Sequence, residues 1–248
     1  MVHVIHVEKK VPDAEIAPIV KSKKHLKFDG TYALVDDTRP DLLVEFTDDD
    51  GHKRSLFRVV RNKMSPDAII QMKRALRKIK KGTMDVSFEK SHVKGINVRE
   101  NPDAVSFYNE LVENHLNYSD RDTKEFIDSR CVPDGYLNLF YNQNVGIHTD
   151  RTRIPTGMCN YSICGEGFEK GYTMFPQYKV AVVLKEGDFL CLNRRELHCV
   201  DLEKYDHTNY RCGVHVNYMF KSDDLKTEYV PTRFDYLFSN CSLGEIVI

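Results

Sequence analysis

The sequence predicts an α+β fold in which helices come first and a β-roll, a sandwich or jelly roll, follows. Three observations predict it. Two helix-start signals, Ser65-Pro66-Asp67 and Asn101-Pro102-Asp103, fall in the first half of the 248 residues. From Gly135 onward, short segments rich in Val, Ile, Tyr, Phe and Leu alternate with Gly, Asn, Asp and Pro. No repeat or low-complexity linker interrupts the chain.

Taken in order, the first sixty residues read as strands. Met1 to Lys10 alternates apolar and polar residues before turning charged, and Leu42–Phe46 and Leu56–Val60 flank Asp48-Asp-Asp-Gly51, a hairpin with Gly51 in its turn. The first helix opens at Pro66 and runs to Lys81, with Gly82 closing it. A second follows Asn101 as its cap and reaches about Asn117, and a third, short one spans Asp122 to Ser129. The strands then come quickly: Tyr136–Tyr141, Tyr161–Ile163, Tyr172–Phe175, Lys179–Leu184, Asp188–Leu192 and Arg211–Phe220. Residues 1–134 are thus expected to pack as N-terminal strands and helices on a core of residues 135–248, in one integrated domain.

Composition narrows the function classes. Apolar residues are 41% and charged residues 29%, enough for a proper core. A net charge of -1 argues against a surface built as a whole to grip nucleic acid, leaving room for a local basic patch. No apolar run reaches the roughly 18 residues of a membrane span. The N-terminus lacks the apolar core of a signal peptide, so an intracellular location, cytoplasmic or nuclear, is expected. The seven cysteines are odd in number and show no C-x-x-C spacing; they read as small buried residues in a reducing compartment.

The sharpest feature is Gly146-Ile-His148-Thr-Asp150. If His148 ends a strand, residues two apart point to one side, so imidazole and carboxylate can meet one ion. A third ligand must come from elsewhere, and two histidines with one carboxylate are the facial triad of non-haem Fe(II) oxygenases. His198 is the candidate: Gly187-Asp188 turns into the apolar strand Phe189–Leu192, and a short loop delivers the histidine. Arg211 opens the last strand, and a buried arginine suits a dicarboxylate because its planar fork grips a carboxylate through two hydrogen bonds. Gly213, on the same strand face, leaves space for that co-substrate. His215 shares the face too and is the rival third ligand, but it would leave the Gly-Asp turn unused and only Lys221 or Lys226 as anchor.

These residues resemble the 2-oxoglutarate/Fe(II) dioxygenase superfamily, whose fold is the double-stranded β-helix; the resemblance covers roughly residues 135 to 220. It implies iron held by His148, Asp150 and His198, with 2-oxoglutarate as co-substrate and O2 as oxidant. It also implies that Arg211 binds the C5 carboxylate of 2-oxoglutarate. Asn138-Leu-Phe-Tyr141 looks like the segment from which Asn and Tyr touch 2-oxoglutarate in AlkB-type relatives, although its spacing to the histidine differs. His215 is expected near the co-substrate or packed inside.

A narrower likeness, carried by Gly165-Glu-Gly-Phe-Glu-Lys-Gly-Tyr-Thr-Met-Phe-Pro176-Gln-Tyr, is to the TET/JBP group of methylcytosine and thymine dioxygenases. Lys170 stands where a second glycine is common, and prolyl hydroxylases share part of the pattern. The substrate implied is a 5-methylpyrimidine in DNA, with Arg151 and Arg153 next to the metal strand as candidate phosphate contacts. The basic run Lys73–Lys81 could join them or be the solvated face of a helix. Hydroxylation of a protein, peptide or amino-acid side chain is the alternative, and a non-catalytic β-roll binding protein the third. Asp48–Asp50 reads as a turn, and the aromatic tail around Phe234, Tyr236 and Phe238 as packing.

Overall fold

The strands after residue 130 shuttle between two sheets, because each buries one face against the other sheet and its second face against helices or loops. The computed structural model describes residues 1–22, 26–35, 38–80, 87–89, 92–142, 144–150, 152, 154–168, 171–202 and 210–221. The N-terminal part contributes β1 (His3–Val7), α1 (Asp13–Lys21), β2 (Ala33–Leu34), β3 (Asp41–Thr47) and β4 (Lys53–Val60). Next come α2 (Pro66–Lys80), β5 (Ser87–Glu89), β6 (His92–Lys94), β7 (Ile96–Asn97), α3 (Pro102–Tyr118) and α4 (Arg121–Arg130). The second half is all strand: β8 (Cys131–Tyr141), β9 (Val145–His148), β10 (Met158–Glu166), β11 (Gly171–Phe175), β12 (Val180–Val183), β13 (Phe189–Asn193), β14 (His198–Leu202) and β15 (Tyr210–Phe220).

The larger sheet has the order β1-β3-β4-β13-β10-β15-β8-β7, and the smaller β2-β12-β11-β14-β9; β5 and β6 pair by themselves. Strands from both halves of the chain therefore share each large sheet. Period-2 alternation separates the two faces. Between the sheets lie Phe57, Ile163, Leu190 and Leu192 from the larger, and Phe175, Val180 and Val182 from the smaller. Phe57 stacks on Phe175 with ring centroids 4.9 Å apart. The other face of the larger sheet presents Leu137, Leu139, Cys191, Cys212 and Val214 to Met72, Ala75 and Leu76 of α2 and to Phe107 and Leu111 of α3. The outer face of the smaller sheet presents Ile147, Met174, Ala181 and Cys199 to Ile16 and Val20 of α1. The order is helix, sheet, sheet, helices.

Local chemistry fixes the joints. Ser65 caps α2 by accepting the Ala68 N–H at 3.2 Å, and Asp120 caps α4 by accepting that of Thr123 at 2.8 Å. Gly187, at φ 85°, makes the turn before β13. Asp188 then accepts from the main chain of Lys185 and Asn62 and pairs with the buried Arg61 at 2.5 Å. The expected Gly-Asp turn is thus a pinned corner, and it launches the strand that leads to His198.

Two expectations need correction. The first sixty residues are not all strand. α1 forms despite Pro18, which removes one intrahelical hydrogen bond, because Ile16 and Val20, four apart, seal the outer sheet. Asn101 does not cap α3; its amide donates back to Asn97 O at 2.9 Å. As expected, a short loop after β13 delivers His198, which opens β14. The closing Gly82, Phe234, Tyr236 and Phe238 lie outside the described residues. The six described cysteines are free and buried, as expected of small core residues. No helix among the described residues is long and apolar enough to cross a membrane.

Candidate metal centre

His148 ends β9 and His198 begins β14, and the two are direct cross-strand partners, which puts both imidazoles on the inner face. Their ring centroids are 4.3 Å apart. Asp150 follows two residues beyond the strand end, where its N–H donates to Arg194 O at 3.0 Å. That anchor brings the carboxylate back: Asp150 Oδ1 lies 3.2 Å from His148 Nε2, and Oδ2 lies 3.7 Å from His198 Nε2. One ligand atom from each of the three residues falls within 4.8 Å of the others.

The tautomers are set by the backbone. His148 Nδ1 sits 2.8 Å from Gly146 O and His198 Nδ1 2.9 Å from Glu196 O. A carbonyl can only accept, so each Nδ1 carries a proton and each Nε2 is the atom aimed at Asp150 and available to a metal. Glu196 is held in turn by the Tyr178 hydroxyl, which donates to Oε2 at 2.9 Å. The charges agree with a cation-binding set. Burial works against the Asp150 carboxylate, but the His148 charge and hydrogen bond override it and hold its pKa below the usual range. Burial likewise opposes a charged His148, yet Asp150 raises its pKa on balance. Burial, and then the His148 charge, lowers His198 to about 4. Three donors converge with no fourth protein ligand beside them among the described residues, the donor set expected of a site that leaves positions open.

Arg211 lies on the inner face of β15, 2% exposed. Asn142 secures its backbone: the Arg211 N–H donates to Asn142 Oδ1 at 2.8 Å, and the Asn142 N–H to Arg211 O at 2.9 Å. The guanidinium reaches the Tyr161 hydroxyl, while Nε and Nη2 find no partner. A Cβ on Gly171 would stand 2.9 Å from Arg211 Nε, so a side chain there would crowd the arginine. An unpaired buried guanidinium is costly unless an anion completes it, and a carboxylate fits its fork.

Other predicted residues fall differently. His215 does not join the triad; it stacks on Phe140 with centroids 5.2 Å apart, and neither ring nitrogen completes a hydrogen bond. Asn138 is its cross-strand partner, with Nδ2 also unpartnered. Tyr141 lies on the opposite face of β8, packed against the helix-side core and stacked on Tyr210. Asn138 and Tyr141 are three apart, and an odd offset cannot place both on one face of a strand. Tyr141 is therefore removed from the co-substrate contacts. The space over Gly213 is not free either: a Cβ there would lie 1.8 Å from the Tyr161 hydroxyl. That glycine accommodates the tyrosine that braces Arg211. Arg151 and Arg153 lie outside the described residues.

The expected role for the basic run on α2 weakens, because three of its cations pair with acids. Lys73 pairs with Glu186 at 2.8 Å, Lys78 with Asp103 at 2.5 Å, and Arg77 with Glu166. A second acidic group, Asp48, Asp50 and His52, is the β3–β4 turn: Asp48 Oδ1 accepts from the N–H groups of Asp50 and His52. Sequence reading missed Tyr161, Arg194 and Thr173, whose Oγ1 is buried without a partner. Inner-face parity with Ile163 could have flagged Tyr161; Arg194 stands in a turn and gave no signal.

No family model and no curated protein matches the chain. Solved structures do. NgTET1 in complex with 5mC DNA is 14% identical, with 92% of this chain and 98% of that one covered at a TM-score of 0.48. A Pseudomonas putida prolyl-4-hydroxylase is 10% identical, with 67% and 94% covered at a TM-score of 0.46. The viral collagen prolyl hydroxylase of Paramecium bursaria Chlorella virus-1, in a 2OG complex, is 14% identical, with 67% and 96% covered at a TM-score of 0.40. Likenesses this distant leave function to be read from the residues of the site.

Proposed function

We propose that this chain is an Fe(II)- and 2-oxoglutarate-dependent dioxygenase on a double-stranded β-helix. His148, Asp150 and His198 hold the iron, and Arg211 grips the far carboxylate of 2-oxoglutarate. The alternation of β8 to β15 between two sheets, β13-β10-β15-β8 and β12-β11-β14-β9, supports the fold reading. Residues 1–134 extend and cover these sheets, and residues 135–248 carry the site.

One observation carries the functional reading. A buried guanidinium with two unpartnered nitrogens points from the same inter-sheet face toward which two Nε2 atoms and a carboxylate converge. Three protein ligands suit a metal that keeps positions for exchangeable partners. A cation waiting for a carboxylate selects a dicarboxylate co-substrate. Bound there, iron and 2-oxoglutarate supply the oxidising chemistry, with succinate and CO2 as by-products of hydroxylating a C–H bond. The chain's own residues do the rest. Gly146 O and Glu196 O hold the Nδ1 protons and aim each Nε2 at the centre, Tyr161 braces Arg211, and the apolar inter-sheet core excludes water. Asn138 and His215 offer uncharged polar groups to the co-substrate or substrate.

For the substrate, the Gly165–Tyr178 stretch favours the methyl group of a 5-methylpyrimidine in DNA. The pairing of Lys73, Arg77 and Lys78 with acids favours a second reading, a protein or peptide side chain, because it engages three α2 cations that phosphates would otherwise meet. Succinate release decides between them. With Fe(II), 2-oxoglutarate and O2, methylated duplex DNA should stimulate succinate formation above the unstimulated rate, and His198→Ala should abolish it. Stimulation by a proline-containing peptide alone selects the second reading. No succinate under any condition contradicts the dioxygenase.

A further inference from the structure

We propose that Arg194 holds one oxygen of Asp150 away from the metal, so that the carboxylate binds through the other and a coordination position stays open. The inference rests on the metal reading of the triad. Arg194 sits in the turn after β13, and its side chain is 9% exposed. Its Nε stands 3.4 Å from Asp150 Oδ2 without completing a hydrogen bond, and its remaining contact is the buried Cys159 thiol. The backbone fixes both partners: the Arg194 N–H donates to Gly157 O at 2.9 Å, and Arg194 O accepts the Asp150 N–H at 3.0 Å. Guanidinium and carboxylate are therefore held in register by the main chain, not by the reach of two long side chains.

The two carboxylate oxygens are not equivalent. Oδ1 faces His148 at 3.2 Å, a partner that must be neutral once it ligates a metal. Oδ2 is shared between Arg194 and His198. A guanidinium draws electron density from the oxygen it faces, so Oδ1 is the better donor and Oδ2 the restrained one. A carboxylate free to turn would offer both oxygens to a divalent ion, as carboxylates readily do. The second oxygen would then take a position that a chelating co-substrate needs. A positive charge this close to a cation site also lowers its affinity for the ion. A residue that weakens metal binding yet is buried against a ligand makes sense if it secures the coordination mode.

The test uses Co(II) as probe, with wild type, Arg194→Met and Arg194→Lys, and His198→Ala as a control. Metal affinity is followed by titration and the ligand set by the visible absorption of bound Co(II). Arg194→Met should bind Co(II) as tightly as wild type or tighter, change the visible spectrum, and weaken 2-oxoglutarate binding to the Co(II) protein by about 10-fold or more. Arg194→Lys, which keeps a cation without the fork, should fall between. A purely structural residue would move neither the spectrum nor the co-substrate affinity. An unchanged spectrum in Arg194→Met with weaker Co(II) binding overturns the proposal, as does an unchanged 2-oxoglutarate affinity. If Met fails to fold, the Lys variant carries the same comparison. Failure of wild type itself to bind Co(II) better than His198→Ala overturns the metal reading and the inference with it.

Discussion

The two faces of β15 make opposite use of buried polar groups. On the helix side, Asn160 of the neighbouring β10 accepts the Val216 N–H at 2.7 Å and donates to Val216 O at 2.8 Å, continuing the ladder with a side chain. His115 of α3 joins there through Nδ1, 3.0 Å from the Tyr218 hydroxyl. On the inter-sheet side, Arg211 keeps two unpartnered nitrogens and neither His215 nitrogen completes a hydrogen bond. The helix-side face spends Asn160 and His115 Nδ1 on the fold and leaves His115 Nε2 over; the inter-sheet face leaves two Arg211 nitrogens and both His215 nitrogens open. Buried donors without partners destabilise a protein, so a cluster of them on one face marks where a ligand is expected to complete the structure.

The largest effect that could break this contrast is at Arg211. Arg211→Met should weaken 2-oxoglutarate binding by about 30- to 1,000-fold, the range for removing one side of a buried charge pair. The ligand-free protein should be as stable or more so, because the guanidinium it loses is incompletely paired. A marked fall in ligand-free thermal stability would move Arg211 to the structural face. On the other side, Asn160→Leu should destabilise the protein by about 2 to 4 kcal/mol in denaturant unfolding, since it strands a buried N–H and a buried carbonyl. Its 2-oxoglutarate affinity should stay within about 2-fold of wild type.

A smaller effect sharpens the role of Gly213. Gly213→Ala should cost about 1 to 3 kcal/mol, because its methyl would meet the Tyr161 hydroxyl, and it should raise the 2-oxoglutarate dissociation constant by displacing the brace on Arg211. A further effect is graded with pH. Burial, and then the Arg194 charge, lowers both His115 and His215 to about 3. The unfolded chain takes up a proton at each below about pH 6.5, and the folded protein does not. Stability of the metal-free protein should therefore fall as pH drops below about 6.5, by up to about 1.4 kcal/mol per pH unit for each group. Urea unfolding at several pH values should show a shallower slope for His215→Phe than for wild type.

How much of the site was legible in the sequence follows from how local each signal is. His148 and Asp150 were legible because two positions on one strand share a side. Arg211 was legible because an arginine opening an apolar strand is rarely buried unless something anionic meets it. The turn at Gly187-Asp188 was legible as well, since φ 85° and a buried aspartate both leave a mark in residue type. Tyr161 was lost because its role depends on β10 lying beside β15, a pairing across about fifty residues that no local pattern reveals. Tyr141 was misassigned by following a motif against the period of two. α1 was lost because Pro18 masks a helix whose stability comes from the sheet it covers.

The most direct test of the iron and 2-oxoglutarate assignment is an anaerobic titration of the Fe(II)-loaded protein with 2-oxoglutarate, watched for a visible charge-transfer absorption. Wild type should give a saturable band, His198→Ala none, and Arg211→Met the same band only at far higher 2-oxoglutarate. Iron binding with no band at any concentration, or a band whose saturation ignores Arg211, would contradict the assignment.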